Sequence, residues 1–377
     1  MRIVVAPTAF KGSIDVIETC IAIVKGIRSL YPDADIIQFP ISDGGDGFLE
    51  SLLFNCGGEF IDAVVTGPLG RKRKTVCGLL KDGTGIVEMA KPSGIALLSE
   101  DEKNPFLTTS YGTGELIDIL VKRGARKIIV GVGGSATIDM GVGCMQALGV
   151  RFLDEIGKEV GYGGRELARI RTIDIGKAKK KLEDLKLAIA ADVRNILLGE
   201  KGAVYTYGVQ KGLSCADMPF MEEAIKNVAE IIKNEFGKDV TTIIGGGAAG
   251  GIAAGLYGIM NAEINNGIEF LFEMIGFGEK VKGADLVITG EGRVDRQTGY
   301  GKVVKKVLEL GRLNDIFVLV LSGEITEEGK ELFEEGYSMG FCINPQGLLQ
   351  SREMKTTGEL LQNGTVKALK KLSLFPL

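Results

Sequence analysis

The chain has 377 residues, of which 45% are apolar and 25% charged, and its formal net charge is -4. This length predicts two domains, and because the charges are mixed without a basic stripe, we expect no nucleic-acid partner. The chain contains no histidine, which excludes Ser-His-Asp and Cys-His catalysis and metal sites that need imidazole. Carboxylates, lysines and a hard cation are therefore the groups expected to carry chemistry.

The predicted elements alternate between strands and helices along the chain. Short apolar runs predict strands, and they fall at 3–6, 35–39, 127–132, 187–191, 284–289 and 316–321. Apolar residues at helical spacing predict helices at 15–30, 115–122, 140–148, 221–236 and 302–310. This alternation predicts an α/β fold with mostly parallel sheets, whose ligands bind at the carboxyl ends of the strands.

The segment 241–262 carries no charge and has about the length of a membrane span. Because it contains seven glycines, we favour a Gly-rich loop followed by a helix of small residues, with a membrane span as the alternative. The N-terminal apolar run is too short for a signal peptide. Six widely spaced cysteines without a Cys-x-x-Cys motif predict reduced thiols. Together these features predict a cytoplasmic protein without a membrane partner.

Two polar clusters follow the first two predicted strands. Lys11 and Ser13 stand just before a helix, where free N–H groups and the helix dipole favour an anion. A helix cap by Ser13 beside a solvated Lys11 fits equally well. The segment 42–47, Ser-Asp-Gly-Gly-Asp-Gly, can turn sharply and aim Asp43 at a ligand, although Asp-Gly pairs are also common in plain surface turns.

The segment 131–137, Gly-Val-Gly-Gly-Ser-Ala-Thr, follows a predicted strand. Backbone N–H groups of such a loop can cradle phosphate, which makes Gly133, Gly134, Ser135 and Thr137 candidate nucleotide-binding residues. The loop differs from the dinucleotide fingerprint Gly-x-Gly-x-x-Gly. Thr113 lies in a second hydroxyl-rich turn, where it either contacts phosphate or caps a helix.

Two further clusters combine carboxylates with other polar groups. Asp192 and Asn195 follow a predicted strand, where they could hold Mg²⁺ or a substrate hydroxyl. Near the C-terminus, Glu291, Arg293 and Asp295 surround another strand end. An arginine there suits bidentate pairing with a substrate carboxylate.

The sequence and the order of these clusters resemble the type I glycerate kinases over nearly the whole chain. The matching segments are 9–13, 42–47, 66–70, 110–115, 133–137, 191–195, 247–251 and 286–292. The chain departs from the usual family pattern at Ser42, Ile138, Met140 and Ile196, and it keeps Asp43, Asp139, Asp192 and Asn195.

The resemblance implies transfer of the ATP γ-phosphate to D-glycerate with Mg²⁺, giving 2-phosphoglycerate. It also implies a flavodoxin-like domain formed from both chain ends, residues 1–70 plus 283–377, and an inserted α/β domain, residues 71–282. The active site is expected in the cleft between them. ATP and D-glycerate are the expected partners, and a homodimer is an option.

A hypothesis for the site follows from the residues and the resemblance together. Asp43 or Asp192 is expected to accept or orient the proton of the substrate hydroxyl, while Lys11 and Mg²⁺ neutralise charge on the transferring phosphoryl group. The residues expected to bind the substrate are Ser13, Asn195, Glu291 and Arg293. The candidate metal ligands are Asp192 and Asp295.

Two other functional classes stay open from the sequence. One is a non-catalytic protein of the same fold that binds a small acid or a nucleotide, because a fold alone does not fix a function. The other is a nicotinamide-dependent oxidoreductase, which the missing dinucleotide fingerprint disfavours.

Overall fold

The computed structural model describes residues 1–10, 12–42, 44–176, 178–179, 183–300, 302–344 and 354–372. The chain divides into two compact units. The first unit combines both chain ends and comprises Met1–Asp43, Glu50–Cys56 and Leu271–Leu377. The second unit comprises Gly44–Leu49 and Gly57–Phe270, so its sequence is inserted between parts of the first.

The first unit is built on a five-stranded parallel sheet. Its strands are β1 (Arg2–Val5), β2 (Asp35–Gln38), β11 (Leu286–Val294), β12 (Phe317–Ile325) and β13 (Ser338–Cys342). They lie in the order β13-β12-β11-β1-β2, and every neighbouring pair is parallel. Counted within this unit the order is 2-1-3-4-5, which is that of flavodoxin-like folds.

Helices flank this sheet and supply its core. Those that lie in or lead into the first unit are α1 (Val16–Leu30), α2 (Phe48–Cys56), α9 (Gly267–Ile275), α10 (Phe277–Val281), α11 (Val303–Leu313), α12 (Glu327–Lys330) and α13 (Met354–Leu372). Helix α1 begins at a capping carboxylate, because Asp15 Oδ1 accepts a hydrogen bond from Glu18 N at 2.8 Å. Its apolar face, with Ile23 and Ile27, joins one core with Ile3 of β1.

The second unit is built on a mixed six-stranded sheet. Its strands are β3 (Gly58–Thr66), β4 (Lys72–Leu80), β5 (Gly85–Glu88), β6 (Lys127–Gly131), β9 (Lys186–Ala191) and β10 (Glu263–Asn266). They lie in the order β10-β9-β6-β5-β4-β3. The four strands from β10 to β5 are parallel, and β4 and β3 extend the sheet antiparallel.

The remaining elements of the second unit cover this sheet. The helices are α3 (Ala90–Ser93), α4 (Tyr111–Lys122), α5 (Val142–Ala147), α6 (Ala203–Tyr207), α7 (Met218–Phe236) and α8 (Ala248–Met260), and β7 (Arg151–Leu153) pairs antiparallel with β8 (Thr172–Asp174). Helix α8 packs closely on the loop before α5, where a Cβ added at Gly255 would lie 1.9 Å from Met140 O. The small residues of this segment therefore serve close packing, as predicted. Within the described residues, no helix is both long and apolar enough to cross a membrane.

The α/β class with mostly parallel sheets is confirmed. The predicted domain border after residue 70 differs from the division observed here. Strand β3 lies before that border, yet it pairs along its whole length with β4 in the sheet of the second unit. The segment Gly44–Leu49 likewise belongs to the second unit, and the chain returns to the first unit at Leu271 rather than at 283.

Candidate active site

Polar loops meet at the carboxyl edge of the parallel strands in the second unit. Strands β5, β6 and β9 are neighbours, so the segments that follow them start side by side. The short segment Gly44–Leu49 packs on the same edge, since Gly133 N donates to Gly44 O at 3.1 Å. A Cβ added at Gly133 would lie 2.5 Å from Gly45 Cα, which explains why glycine is needed at this approach.

The segment 131–137 after β6, named here the phosphate loop, has the backbone of an anion-binding turn. Gly134 has a φ of +70°, which glycine adopts without strain. The loop is anchored by Ile95 N, which donates to Gly134 O at 2.9 Å, and by Ala136 N, which donates to Ser93 O at 2.9 Å. Within the described residues, the Gly134 and Ser135 N–H groups have no acceptor. Consecutive unpaired N–H groups form a concavity that suits phosphate.

The hydroxyl groups near this loop are buried. Thr113 lies in the first turn of α4, and its Oγ1 is 3.0 Å from Ser93 Oγ. It therefore does not cap the helix, which was the plain alternative from sequence. Thr137 is also fully buried, and its Oγ1 has no hydrogen-bond partner. The predicted residues Thr113, Ser135 and Thr137 thus belong to one neighbourhood around Ser93.

Lys211 lies against the phosphate loop, and it is not among the residues predicted from the sequence. Its Nζ donates to Ser135 Oγ and to Thr137 O, both at 2.8 Å, and the residue is only 3% exposed. Burial lowers the pKa of this amine to about 7, against an opposing attraction from the Asp139 carboxylate. The signal available in the sequence was a Gln-Lys-Gly segment at 210–212, which spacing alone does not connect to the loop.

Asp139 fixes the turn that leads from the phosphate loop into α5. Its Oδ2 accepts hydrogen bonds from Ser110 N at 2.9 Å and Ser110 Oγ at 2.7 Å, and its Oδ1 accepts one from Gly141 N at 3.1 Å. The side chain is almost fully buried. Because donors surround the carboxylate, its charge is compensated without an ion pair.

The segment after β9 holds the two predicted residues Asp192 and Asn195. Asp192 is exposed. The pKa of Tyr207 is raised, mainly because Tyr207 is partly buried and also because the Asp192 carboxylate is near. Asn195 is engaged by its own loop, since its Nδ2 donates to Lys201 O at 2.7 Å and its Oδ1 accepts from Tyr207 Oη at 2.7 Å. Its amide therefore shapes the loop that carries Asp192, and no motif in the sequence predicts the contact with Tyr207.

The first unit has its own polar cluster along and after β11. Thr298 is fully buried, and its Oγ1 donates to Glu291 Oε1 at 2.8 Å and accepts from Asp295 N at 3.2 Å. Gln297 N also donates to Asp295 Oδ1 at 2.8 Å. Thr298 therefore joins the two predicted acidic residues, Glu291 and Asp295, into one arrangement.

Arg293 lies on the same strand, and 58% of its side chain is exposed. Its Nε is 3.6 Å from Asp295 Oδ2 and 3.5 Å from Glu324 Oε2. These distances are longer than those of charge-assisted hydrogen bonds. The guanidinium is thus held loosely between two carboxylates, in a position where it can exchange one of them for a carboxylate ligand.

Comparisons with known proteins identify the relatives of this chain. The model of the glycerate kinase family matches residues 3–373. This chain belongs to the glycerate kinase family. It is 39% identical over 346 residues to a glycerate kinase of Bacillus subtilis (strain 168), covering 92% of this chain and 91% of the relative. It is likewise 39% identical over 344 residues to the glycerate 2-kinase of Escherichia coli (strain K12), covering 91% and 90%.

A solved structure supports the same family at the level of the fold. The crystal structure named as glycerate kinase 2 from Salmonella typhimurium LT2 has a TM-score of 0.85 and 34% identity, and covers 99% of this chain and 98% of that one. The predicted enzyme class, a glycerate kinase, is therefore confirmed. The roles of single residues stay predictions.

The three predicted residues not yet described are Lys11, Ser13 and Asp43. Lys11 and Asp43 lie outside the described residues. Ser13 contacts Thr357 of α13 through a hydroxyl–hydroxyl hydrogen bond. Because the cap of α1 is Asp15, the alternative that Ser13 caps this helix is wrong.

The metal prediction rests on two carboxylates of different units. Asp192 belongs to the second unit and Asp295 to the first. In the described part of the chain, no group of three His, Cys, Asp or Glu side chains gathers to hold a metal ion. An exposed carboxylate such as Asp192 nevertheless fits Mg²⁺, which proteins usually bind through one or two carboxylates while phosphates and water fill the other positions.

Proposed function

We propose that this glycerate kinase family member transfers the γ-phosphate of ATP to D-glycerate and forms 2-phosphoglycerate, in the manner of the type I enzymes. The observation that carries the nucleotide half of this proposal is the phosphate loop after β6, where the N–H groups of Gly134 and Ser135 have no acceptor in the described part of the chain. The family match supports the acceptor. The name of the Escherichia coli relative, glycerate 2-kinase, supports the position of transfer.

ATP is proposed to bind the second unit through the phosphate loop. Phosphoryl transfer depends mainly on positioning and on neutralising charge, so preorganised N–H groups contribute directly. Mg²⁺ would supply charge neutralisation on the triphosphate when bound, with Asp192 as its protein ligand. Lys11, which precedes α1, is proposed to add a positive charge to the same chemistry.

Glycerate is proposed to bind through the polar cluster of the first unit. Arg293 is a cation available for its carboxylate, because its two ion pairs are 3.6 and 3.5 Å long and its own side chain is 58% exposed. Asp43 or Asp192 is proposed to orient the hydroxyl group and accept its proton, which typically contributes a factor of about a hundred to ten thousand in rate. Cytoplasmic location and a homodimer stay predictions.

The product of a single reaction tests the proposal. D-glycerate, ATP and Mg²⁺ are incubated with the protein, and the product is followed by phosphorus NMR. We expect the β- and γ-signals of ATP to give way to ADP and to the monoester signal of 2-phosphoglycerate. A monoester at the 3-position would contradict the proposed regiochemistry, and no ADP formation with D-glycerate would contradict the proposed reaction.

A further inference from the structure

Lys211 is a buried amine whose position the proposed reaction does not by itself explain. Lysine is almost never fully buried unless it is paired. Within the described residues, Lys211 forms hydrogen bonds to Ser135 Oγ and Thr137 O and is in no ion pair. Burying an ammonium against two neutral acceptors is unfavourable. The amine is therefore held at a cost in a place where, among the described residues, it hydrogen-bonds only to the phosphate loop.

The carboxylate that attracts Lys211, that of Asp139, already accepts hydrogen bonds from other groups. Asp139 attracts Lys211 across space, but its oxygens accept hydrogen bonds from Ser110 and Gly141. Because burial outweighs this attraction, the pKa of Lys211 falls to about 7. At pH 8 the amine is thus mostly neutral in the free protein. Ser135 and Thr137, which accept its hydrogen bonds, carry no charge.

An anion on the phosphate loop would change this balance. Ser135 connects a bound anion to Lys211, since its N–H has no acceptor among the residues that the structure describes and its Oγ accepts a hydrogen bond from Lys211 Nζ. Charges interact much more strongly in a buried setting than in water. A triphosphate at the Gly134 and Ser135 N–H groups would therefore favour the ammonium form behind the loop. Thr137 Oγ1 is buried and has no hydrogen-bond partner among the described residues, so this hydroxyl is available for a further hydrogen bond.

We propose that Lys211 is a positioning residue of the phosphate loop, and that binding of a nucleotide triphosphate draws a proton from solvent onto its Nζ. The ammonium then holds Ser135 and Thr137 more firmly than the neutral amine does, because hydrogen bonds from a charged donor are stronger. This inference rests on the proposed function, since it assumes that the phosphate loop binds the nucleotide.

Isothermal titration calorimetry of the full chain tests the proton uptake. The ligand is AMP-PNP with Mg²⁺ at pH 8, titrated in two buffers of different ionisation enthalpy that contain no phosphate. The wild type is expected to take up a proton fraction of about one half or more, because its free amine is mostly neutral there. Lys211→Met should remove this uptake. Lys226→Met, a matched change of a half-exposed lysine on α7, should keep it.

Steady-state kinetics separate positioning from general damage. Lys211→Met should raise the KM for ATP by about tenfold or more, the effect of losing hydrogen bonds from a charged group. The KM for D-glycerate should stay within about twofold, because the Nζ of Lys211 donates its two hydrogen bonds to the second unit's phosphate loop. Equal increases in both KM values, or a proton uptake in Lys211→Met that equals the wild type, would overturn the inference.

A measurement on the wild type alone remains decisive if Lys211→Met fails to fold. The Kd for AMP-PNP should increase between pH 7 and pH 9, by up to about tenfold per pH unit, because the proton must be supplied. A flat profile contradicts the inference. The proposed function fails separately, when the wild type does not phosphorylate D-glycerate although its nucleotide binding remains proton-linked.

Discussion

The two units present their polar residues at the strand ends in different ways. In the first unit, Arg293 and Glu324 have largely exposed side chains, and their ion pair is 3.5 Å long. In the second unit, Ser135, Asp139 and Lys211 are all buried, and most of their hydrogen bonds are 2.9 Å or shorter. The first edge thus carries loosely held charges next to a hydrogen-bonded acidic cluster, and the second edge is a closed network.

This difference indicates that the two edges suit different tasks. Exposed ion pairs contribute little to stability and can exchange partners, which suits recognition of a small charged acid. A buried network fixes a backbone, which suits a loop that binds phosphate through N–H groups. Changes in the second unit's network should therefore lower stability, whereas changes at the first unit's edge should lower substrate affinity.

The largest expected effect is on Asp139. In Asp139→Ala, the buried donors Ser110 N, Ser110 Oγ and Gly141 N lose their acceptor. Unsatisfied buried donors cost about 1–3 kcal/mol each, so the free energy of unfolding should fall by about 3 kcal/mol or more. Urea denaturation measures this change. Asp139→Asn keeps one acceptor oxygen, so its free energy of unfolding should lie between those of the wild type and Asp139→Ala. An unchanged urea midpoint in Asp139→Ala would contradict the contrast between the two edges.

Substitution of Arg293 should lower substrate affinity and leave stability nearly unchanged, which is the opposite of the effect at Asp139. In Arg293→Met, the KM for D-glycerate should rise by about ten- to a hundredfold, because a charged partner of the carboxylate is lost. The free energy of unfolding should change by less than about 0.5 kcal/mol, since the side chain is largely exposed. Arg293→Lys keeps the charge without the planar fork and should be intermediate. A KM that does not move would show that the acid binds elsewhere.

The sequence predicted two largely buried strands, β1 and β6, but missed the four-residue strand β5, although it too is fully buried. Residues 3–5 of β1 and 128–130 of β6 are completely inaccessible, and such strands appear in sequence as unbroken apolar runs. The antiparallel pair β3–β4 was missed, because β3 alternates exposed Glu59 and Asp62 with buried Ile61. Its longest apolar run has only three residues, 63–65, and the predicted domain border fell beyond it.

The site was predictable only where its parts are close in sequence. The phosphate loop, with Gly134 and Ser135, could be proposed as a candidate from the sequence because its glycines follow a predicted strand directly. Lys211 reaches Ser135 from 76 residues further along the chain, and only tertiary structure joins them. For Asn195, spacing suggested a ligand, whereas the structure shows an amide already bonded to Lys201 O and Tyr207 Oη.

The pH dependence of stability sharpens the comparison at the second unit's network. The pKa of Lys211 is about 7 in the folded chain, against 10.5 for an ordinary exposed lysine, so between these values the unfolded chain binds more protons. The free energy of unfolding should therefore rise with pH, by roughly 1 kcal/mol between pH 7.5 and 8.5 from this group alone. Urea midpoints at both pH values measure it. Lys211→Met should lose this increment and Lys226→Met should keep it; identical slopes in all three proteins would argue against a neutral buried amine.

The smallest expected effect is at Glu324, which competes for Arg293 at 3.5 Å from its Nε. In Glu324→Gln, the free energy of unfolding should change by less than about 0.5 kcal/mol, as for other exposed ion pairs. The KM for D-glycerate should fall by about two- to fivefold, because the guanidinium no longer has to give up this carboxylate, and the gain should shrink in high salt. Initial rates at low and high salt measure both. A higher KM in Glu324→Gln would mean that Glu324 orients Arg293 toward the acid, so that the first unit's edge, like the second's, is a network and not a set of exchangeable charges.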